Sequence, residues 1–416
     1  MSKRLWFFIY DILIRCSQLF IFIGQFFNPK LKLLFQGRKN TLTAKQTQCT
    51  EPIWLHCASL GEFEQGRPLI EAIKKRYPTT KILLTFFSPS GYEIQKNYTL
   101  ADEIQYLPSD TVKNAQYLIE KFRPKTIILV KYEFWWRLLD TCANNQIPIY
   151  SIASLFRKNQ YFFSQINRPC VNILSKFHLH FVQDEMSSNI LSKHNIQRCT
   201  IVGDPRIDRV IQRSKEILLD LKLTNWIDNT KNVVVYGSVW LEDLPIVIKI
   251  IDSLPEFKHI IAPHDIHHDN IDKISSYLNP RKTFLYSDEH YENSICLVNN
   301  IGKLNSIYSV AKFAYIGGGF GGGIHNTLEA AIFEIPIIFG PKYKKFNEAN
   351  YFISHNIAFA INDPQHLPAI LNTIISDTNY LEKCKWEIQN FFNENAGATQ
   401  KIINYFESIS LLSKEY

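Results

Sequence analysis

The sequence predicts an α/β protein made of two Rossmann-like halves facing one cleft, preceded by an N-terminal membrane-associated helix. Three observations predict it. The chain opens on a strongly apolar stretch, continues with short β-branched runs alternating with amphipathic stretches, and restarts that alternation after a charged, weakly patterned interval past Asp208. Short apolar runs separated by helical stretches imply right-handed βαβ crossovers and parallel sheets. A length of 416 residues suits two domains of ordinary size. The expected division is a helix over 1–40, a first Rossmann-like domain over 41–210, a second over 211–378 and a helical segment over 379–416 that is free to pack back on the first half.

Residues 5–27 are apolar enough to cross a bilayer, and no small-residue cleavage site follows them, which argues against a cleaved signal peptide. Asp11, Arg15, Gln18 and Gln25 fall along one helical face. Basic residues flank both ends, Lys3 and Arg4 before and Lys30, Lys32, Arg38 and Lys39 after, whereas a spanning helix usually carries a one-sided bias. The pattern favours a helix lying in the cytoplasmic interface, apolar face in lipid, with a spanning helix and one docked on protein left open.

In the first half, strands are expected at 52–57, 81–87, 126–130, 147–152 and 177–182, and in the second at 232–236, 258–262, 294–298, 313–316 and 335–339. Such sheets bind ligands at the carboxyl ends of their strands. Hydrophobic residues make up 46% of the chain and the formal charge is +7, a mild surplus that suits either a solvated basic surface or attraction to phosphates, acidic sugars or anionic membrane. Nothing points to nucleic acid. The eight cysteines include no C-x-x-C pair, so neither a zinc site, a redox motif nor a disulfide framework is expected; reduced thiols in a cytosolic compartment are.

The first candidate site is Ser59-Leu-Gly-Glu62, on the turn after the first strand. Ser-x-x-Glu is a capping-box pattern. At the carboxyl edge of a parallel sheet the same Glu62 is also placed to take a proton from an attacking hydroxyl; both readings stand. The second is the glycine run 317–323, which leads through His325 to Asn326-Thr-Leu-Glu329 at a helix start. Glycines let backbone approach a ligand, and N–H groups opening a helix suit a phosphate. The spacing is not the dinucleotide G-x-G-x-x-G, which disfavours a nicotinamide cofactor. His264, His267 and His268 lack a standard metal-ligand spacing. Glu133, after the strand 126–130, is either an orienting carboxylate or a salt-bridged structural one, and Arg206 either offsets leaving-group charge or anchors the interdomain linker.

Together these segments resemble the Kdo transferases of lipopolysaccharide assembly over nearly the whole chain: the apolar N-terminus, Ser59-x-Gly61-Glu62, Pro89-Ser-Gly-Tyr-Glu93, Glu133 with its neighbouring Trp, Val202-Gly203 and His325-Asn-x-Leu-Glu329. The resemblance implies a GT-B fold and transfer of 3-deoxy-D-manno-octulosonic acid (Kdo) from CMP-Kdo to a phosphorylated lipid A precursor, inverting and without metal or other cofactor, on the cytoplasmic face of the inner membrane. It implies Glu62 as general base, Glu133 and Arg206 as transition-state supports, and a CMP site made by Pro263, His264, Ile301, Gly302, Lys303, Leu304, Asn326, Thr327, Leu328 and Glu329. The chain departs from the common pattern at three cationic or acidic positions. His264 stands where many relatives have Arg, Lys303 replaces a frequent acidic residue, and Arg206 stands where Lys is common. The alternatives are a GT-B transferase using another nucleotide sugar, or a non-catalytic membrane-bound module that binds a sugar nucleotide or lipid.

Overall fold

The computed structural model describes residues 3–43, 47–160, 163, 168–228, 230, 232–300 and 302–413. The chain forms two compact units: Met1–Asp208 together with Asn395–Tyr416, and Arg209–Glu394 between them in sequence.

The first unit is a seven-stranded sheet in the order β3-β2-β1-β4-β5-β6-β7, with every pairing parallel. Its strands are β1 (Ile53–Cys57), β2 (Ile82–Phe86), β3 (Glu103–Tyr106), β4 (Thr126–Val130), β5 (Ile149–Ser154), β6 (Leu179–Val182) and β7 (Cys199–Ile201). β1, β2, β4, β5 and β6 are buried at every position, as strands covered on both faces must be. The second unit repeats the plan, order β10-β11-β9-β8-β12-β13-β14. Its strands are β8 (Val233–Val239), β9 (Lys258–Pro263), β10 (Thr283–Leu285), β11 (Ile295–Leu297), β12 (Phe313–Ile316), β13 (Ile337–Phe339) and β14 (Ala358–Ala360). In each sheet the first strand in sequence lies inside; in the first unit the chain winds outward from it in both directions, whereas in the second β10 takes the edge before β11 fills the place between it and β9. The switch point is therefore β1/β4 in one unit and β8/β12 in the other, where a crevice opens beyond the strand ends.

The C-terminal segment expected as one piece over 379–416 is divided. The helix Thr378–Asn395 reaches the end of the second unit, and the helix Ala398–Ser408 belongs to the first. There Ile402, Ile403 and Phe406 enter the core with Tyr150, Phe181 and Val202. Asp208 ties the helix down by accepting from the N–H groups of Gly397 and Thr399, both at 2.6 Å.

Two helices precede β1: α1 (Lys3–Gly24) and α2 (Pro29–Thr43). α1 runs 22 residues, about 33 Å at 1.5 Å per residue. It is fastened near both ends. At the first, Trp6, Phe7 and Tyr10 pack around Trp136 with centroids 5.3–6.3 Å apart. Tyr10 donates to Asp110 at 2.6 Å, and Arg137 forks onto Asp11 at 2.8 and 2.5 Å. At the other end Ile21 joins Leu34 and Tyr106 in a small cluster, and Phe22 meets Phe35 at 5.7 Å. The remaining face, including Phe8, Leu13, Leu19 and Phe20, is 59–68% exposed. So α1 is both docked on protein and left with an apolar outer face.

Candidate active site

Glu62 sits in the first turn of α3 (Leu60–Arg76), reached directly from β1. Only half of the capping box forms. Ser59 makes no side-chain cap, while the Glu62 carboxylate accepts from the Ala58 N–H at 2.5 Å. Burial, and then the charge of Glu133, raise Glu62 to about 7. A carboxyl that loses its proton near neutrality suits a general base. Glu133 follows β4, the other strand of the switch point, after a left-handed turn at Lys131 (φ 62°). Both expected carboxylates thus come to the same sheet crevice.

Between them the structure adds groups that the motifs did not name. His56, on β1 and fully buried, lies 3.5 Å from Glu133 through Nε2. The Trp135 indole N–H points at that nitrogen at 3.0 Å, and Nδ1 pairs with Thr85 Oγ1 at 2.9 Å. Trp54 donates to the same hydroxyl at 2.8 Å. The chain Trp54–Thr85–His56–Trp135 fixes the wall against which Glu133 stands. A signal was present: a histidine inside an otherwise apolar strand. His180 and His259 carry it too, but each bonds a backbone carbonyl, Leu174 and Leu254, and belongs to the core.

Arg206 opens the helix Pro205–Arg213 and is held by Asp204, with Nε at 2.8 Å and Nη2 at 2.6 Å. Pro89-Ser-Gly-Tyr-Glu93 is built into the fold: Gly91 leaves room for the Phe86 ring, and Glu93 accepts from Tyr106 at 3.1 Å.

In the second unit the expected donor residues gather at the strand ends beside β8/β12. Pro263 ends β9, and His264 stacks over both Trp240 (4.5 Å) and His325 (4.4 Å), whose rings lie side by side. Trp240 Nε1 donates to His325 Nε2 at 2.7 Å, and burial, then His264, holds His325 down at about 4. His325 is therefore neutral, with its proton on Nδ1. Gly302 is exposed with φ 83°, and Lys303 starts the helix Leu304–Tyr308, which packs on the helix Leu328–Ala331. Asn326 accepts from the Leu328 N–H and donates to Glu329, both at 3.2 Å, so the cap comes from Asn326 while Thr327, at the helix boundary, makes none. Ile301 lies outside the described residues.

Two glycines of the run are required by packing. A Cβ on Gly317 would come within 2.3 Å of the Ser238 carbonyl, and one on Gly319 within 2.5 Å of the Gly340 nitrogen, so these two let neighbouring strand exits cross closely. The helix that follows is only four residues long, too short for a strong dipole. The open positions are Gly321 and Gly322. Asp243, fully buried, pins the loop by accepting from the Gly318 N–H (2.8 Å), the Trp240 N–H (2.9 Å) and the Tyr315 hydroxyl (2.9 Å). Among the described residues no three His, Cys, Asp or Glu side chains are grouped to hold a metal ion.

Residues 32–209 match the family model of 3-deoxy-D-manno-octulosonic-acid transferase. The 3-deoxy-D-manno-octulosonic acid transferase of Aquifex aeolicus is 27% identical over 338 residues, covering 79% of this chain and 87% of that protein. That of Rickettsia felis is 27% identical over 372 residues, covering 83% and 76%. Among solved structures, the UDP-GlcNAc 2-epimerase of Neisseria meningitidis superposes with a TM-score of 0.61 at 15% identity, over 86% of this chain and 100% of that one. That last likeness concerns the fold alone. Two Rossmann-like units of this topology have the GT-B-like fold, and the sequence relatives make the chain a glycosyltransferase. The family model over residues 32–209 and these relatives are Kdo transferases, which the chain resembles.

Proposed function

We propose that the protein transfers Kdo from CMP-Kdo to a phosphorylated lipid A precursor, inverting the anomeric carbon and using no metal. The observation that carries this reading is Glu62, a carboxyl raised to about 7 at the β1/β4 crevice. An acceptor hydroxyl gives its proton to Glu62 as its oxygen bonds the anomeric carbon. The bond from that carbon to the phosphate oxygen of CMP breaks, and its electron pair leaves with CMP. Attack on the face opposite the leaving group inverts the centre. Glu133, set against the wall that His56 and Trp135 form, orients the incoming group. Lys303 opposes the charge developing on the phosphate, the role that the resemblance also gives Arg206, and the His264 ring layered on Trp240 and His325 forms, with Asn326 and Glu329, the wall of the nucleotide site.

The N-terminal helix supports a membrane-surface location. A helix fastened near both ends on one domain cannot cross a bilayer, whereas its exposed apolar face can enter the interface in plane. The described cysteines are unpaired, as suits the reducing cytoplasmic side.

The test is to incubate the purified protein with lipid A precursor and CMP-Kdo generated in situ, and to weigh the lipid product. A mass gain of Kdo, inhibited by CMP and not by UDP and retained in chelator, is expected. Inhibition by UDP would assign another nucleotide sugar, donor binding without product would assign a binding module, and a strict divalent requirement would overturn the metal-free route.

A further inference from the structure

Beside α1 and α2 lies a groove of about 510 Å³ bounded by the loop that follows β3. Its walls are apolar, with Leu19, Phe22 and Phe35 among them, and Arg15, Arg38 and Lys39 bring three cations to it. Arg38 is the unusual member. It is 7% exposed, and neither its Nε nor its Nη2 has a hydrogen-bond partner; Nη1 reaches only Ser109 Oγ, at 3.4 Å. Its guanidinium lies over the Phe87 ring at 4.5 Å. Burial lowers it to about 10, which leaves it a cation at neutral pH. A buried guanidinium with two idle nitrogens is costly unless something anionic completes it. Its fork geometry matches a phosphate.

We propose that this groove seats an anionic phospholipid of the bilayer, its phosphate on Arg38 and the start of an acyl chain along Leu19, Phe22 and Phe35. The chemistry is a phosphate ester joined to a hydrocarbon chain, which a groove combining a buried fork with apolar walls recognises and a free anion does not. The volume suits a headgroup and part of one chain, within the range of ordinary ligand pockets and too small for a multiply acylated disaccharide. Phe87 touches both Arg38 and Trp135, the latter with centroids 4.8 Å apart and rings tilted by 33°, so the seat adjoins the carboxylate site. Arg15 and Lys39 favour a headgroup of net negative charge over a zwitterionic one. The proposal deepens the membrane-surface reading of α1 and rests on it.

The experiment uses the full chain and dihexanoyl phosphatidylglycerol below its micelle concentration, so that binding is read without a bilayer; vesicle flotation reads membrane association separately. Wild type is expected to bind this lipid more tightly than dihexanoyl phosphatidylcholine, and inorganic phosphate far more weakly. Arg38→Met is expected to lose at least roughly tenfold in affinity while keeping or raising the thermal midpoint of the lipid-free protein, because it removes an uncompensated buried charge. Leu19→Asn, on the exposed wall, is expected to weaken binding without touching Arg38. Unchanged binding in Arg38→Met overturns the proposal. So do a lowered lipid-free midpoint in that variant, phosphate binding as tight as that of the lipid, and stoichiometric displacement of the lipid by the sugar acceptor. Loss of flotation with short-chain binding intact would remove the membrane reading and leave the seat standing.

Discussion

Replacing Glu62 by Gln separates the cost of this residue from its use. Gln keeps an oxygen for the Ala58 N–H and cannot ionise. Burial, and then Glu133, lift Glu62 from 4.5 to about 7. Below the lower value both the native and unfolded chains hold the proton, and the residue costs nothing. Between the two values the unfolded chain gives up its proton while the native one keeps it, so stability falls as pH rises, and above the upper value the full penalty applies. At about 1.36 kcal/mol per pH unit the penalty is on the order of 3 kcal/mol, and partial solvent exposure brings it to roughly 1–2 kcal/mol. Glu62→Gln is therefore expected to be more stable than the parent by roughly 1–2 kcal/mol above about pH 8, and equal to it near pH 4. Its transfer rate should fall about 10²- to 10⁴-fold, and the rise of kcat/KM through neutral pH should vanish. Urea denaturation at both pH values and a transfer assay across pH measure these. A variant that keeps full transfer, or that loses stability at high pH, refutes the reasoning.

Three further outcomes follow from the packing. Gly317→Ala drives a methyl group into the Ser238 carbonyl, so the second unit should lose about 2 kcal/mol or more, read by denaturant unfolding. Asp243→Ala strips the acceptor from the Gly318 and Trp240 N–H groups and the Tyr315 hydroxyl; a loss of about 3 kcal/mol and weaker CMP binding by calorimetry are expected. Asp11→Asn breaks the fork from Arg137, and α1 should become more sensitive to limited proteolysis at a stability cost of about 1 kcal/mol.

Of the fourteen strands among the described residues, ten are legible as apolar runs, and the four that are not share one position. β3, β7, β10 and β14 are the outer strands of their sheets. With one neighbour each and solvent nearby, they need no continuous apolar run: β3 carries Glu103 and Gln105, and two of the three residues of β7 are exposed. The site divides along similar lines. Glu62 and Glu133 are readable because they follow inner strands at a motif or a charged break. Asp243 is not, because its work is a set of contacts to backbone and to Tyr315, seventy-two positions away. The glycine run is ambiguous in sequence, since close crossing of strand exits, seen at Gly317 and Gly319, and ligand approach demand the same residue.

The way Asp208 anchors Gly397 and Thr399 bears on how the protein is made. The first unit needs both early and late portions of the chain, so on the ribosome its sheet is synthesised long before the helix that covers Tyr150, Phe181 and Val202. Throughout translation of the second unit that apolar surface waits uncovered, exposed to aggregation or to chaperones. Clipping the tail before Ala398 would thus injure the unit that carries Glu62, nearly the whole chain away, and leave the unit it directly follows in sequence with its core unbroken.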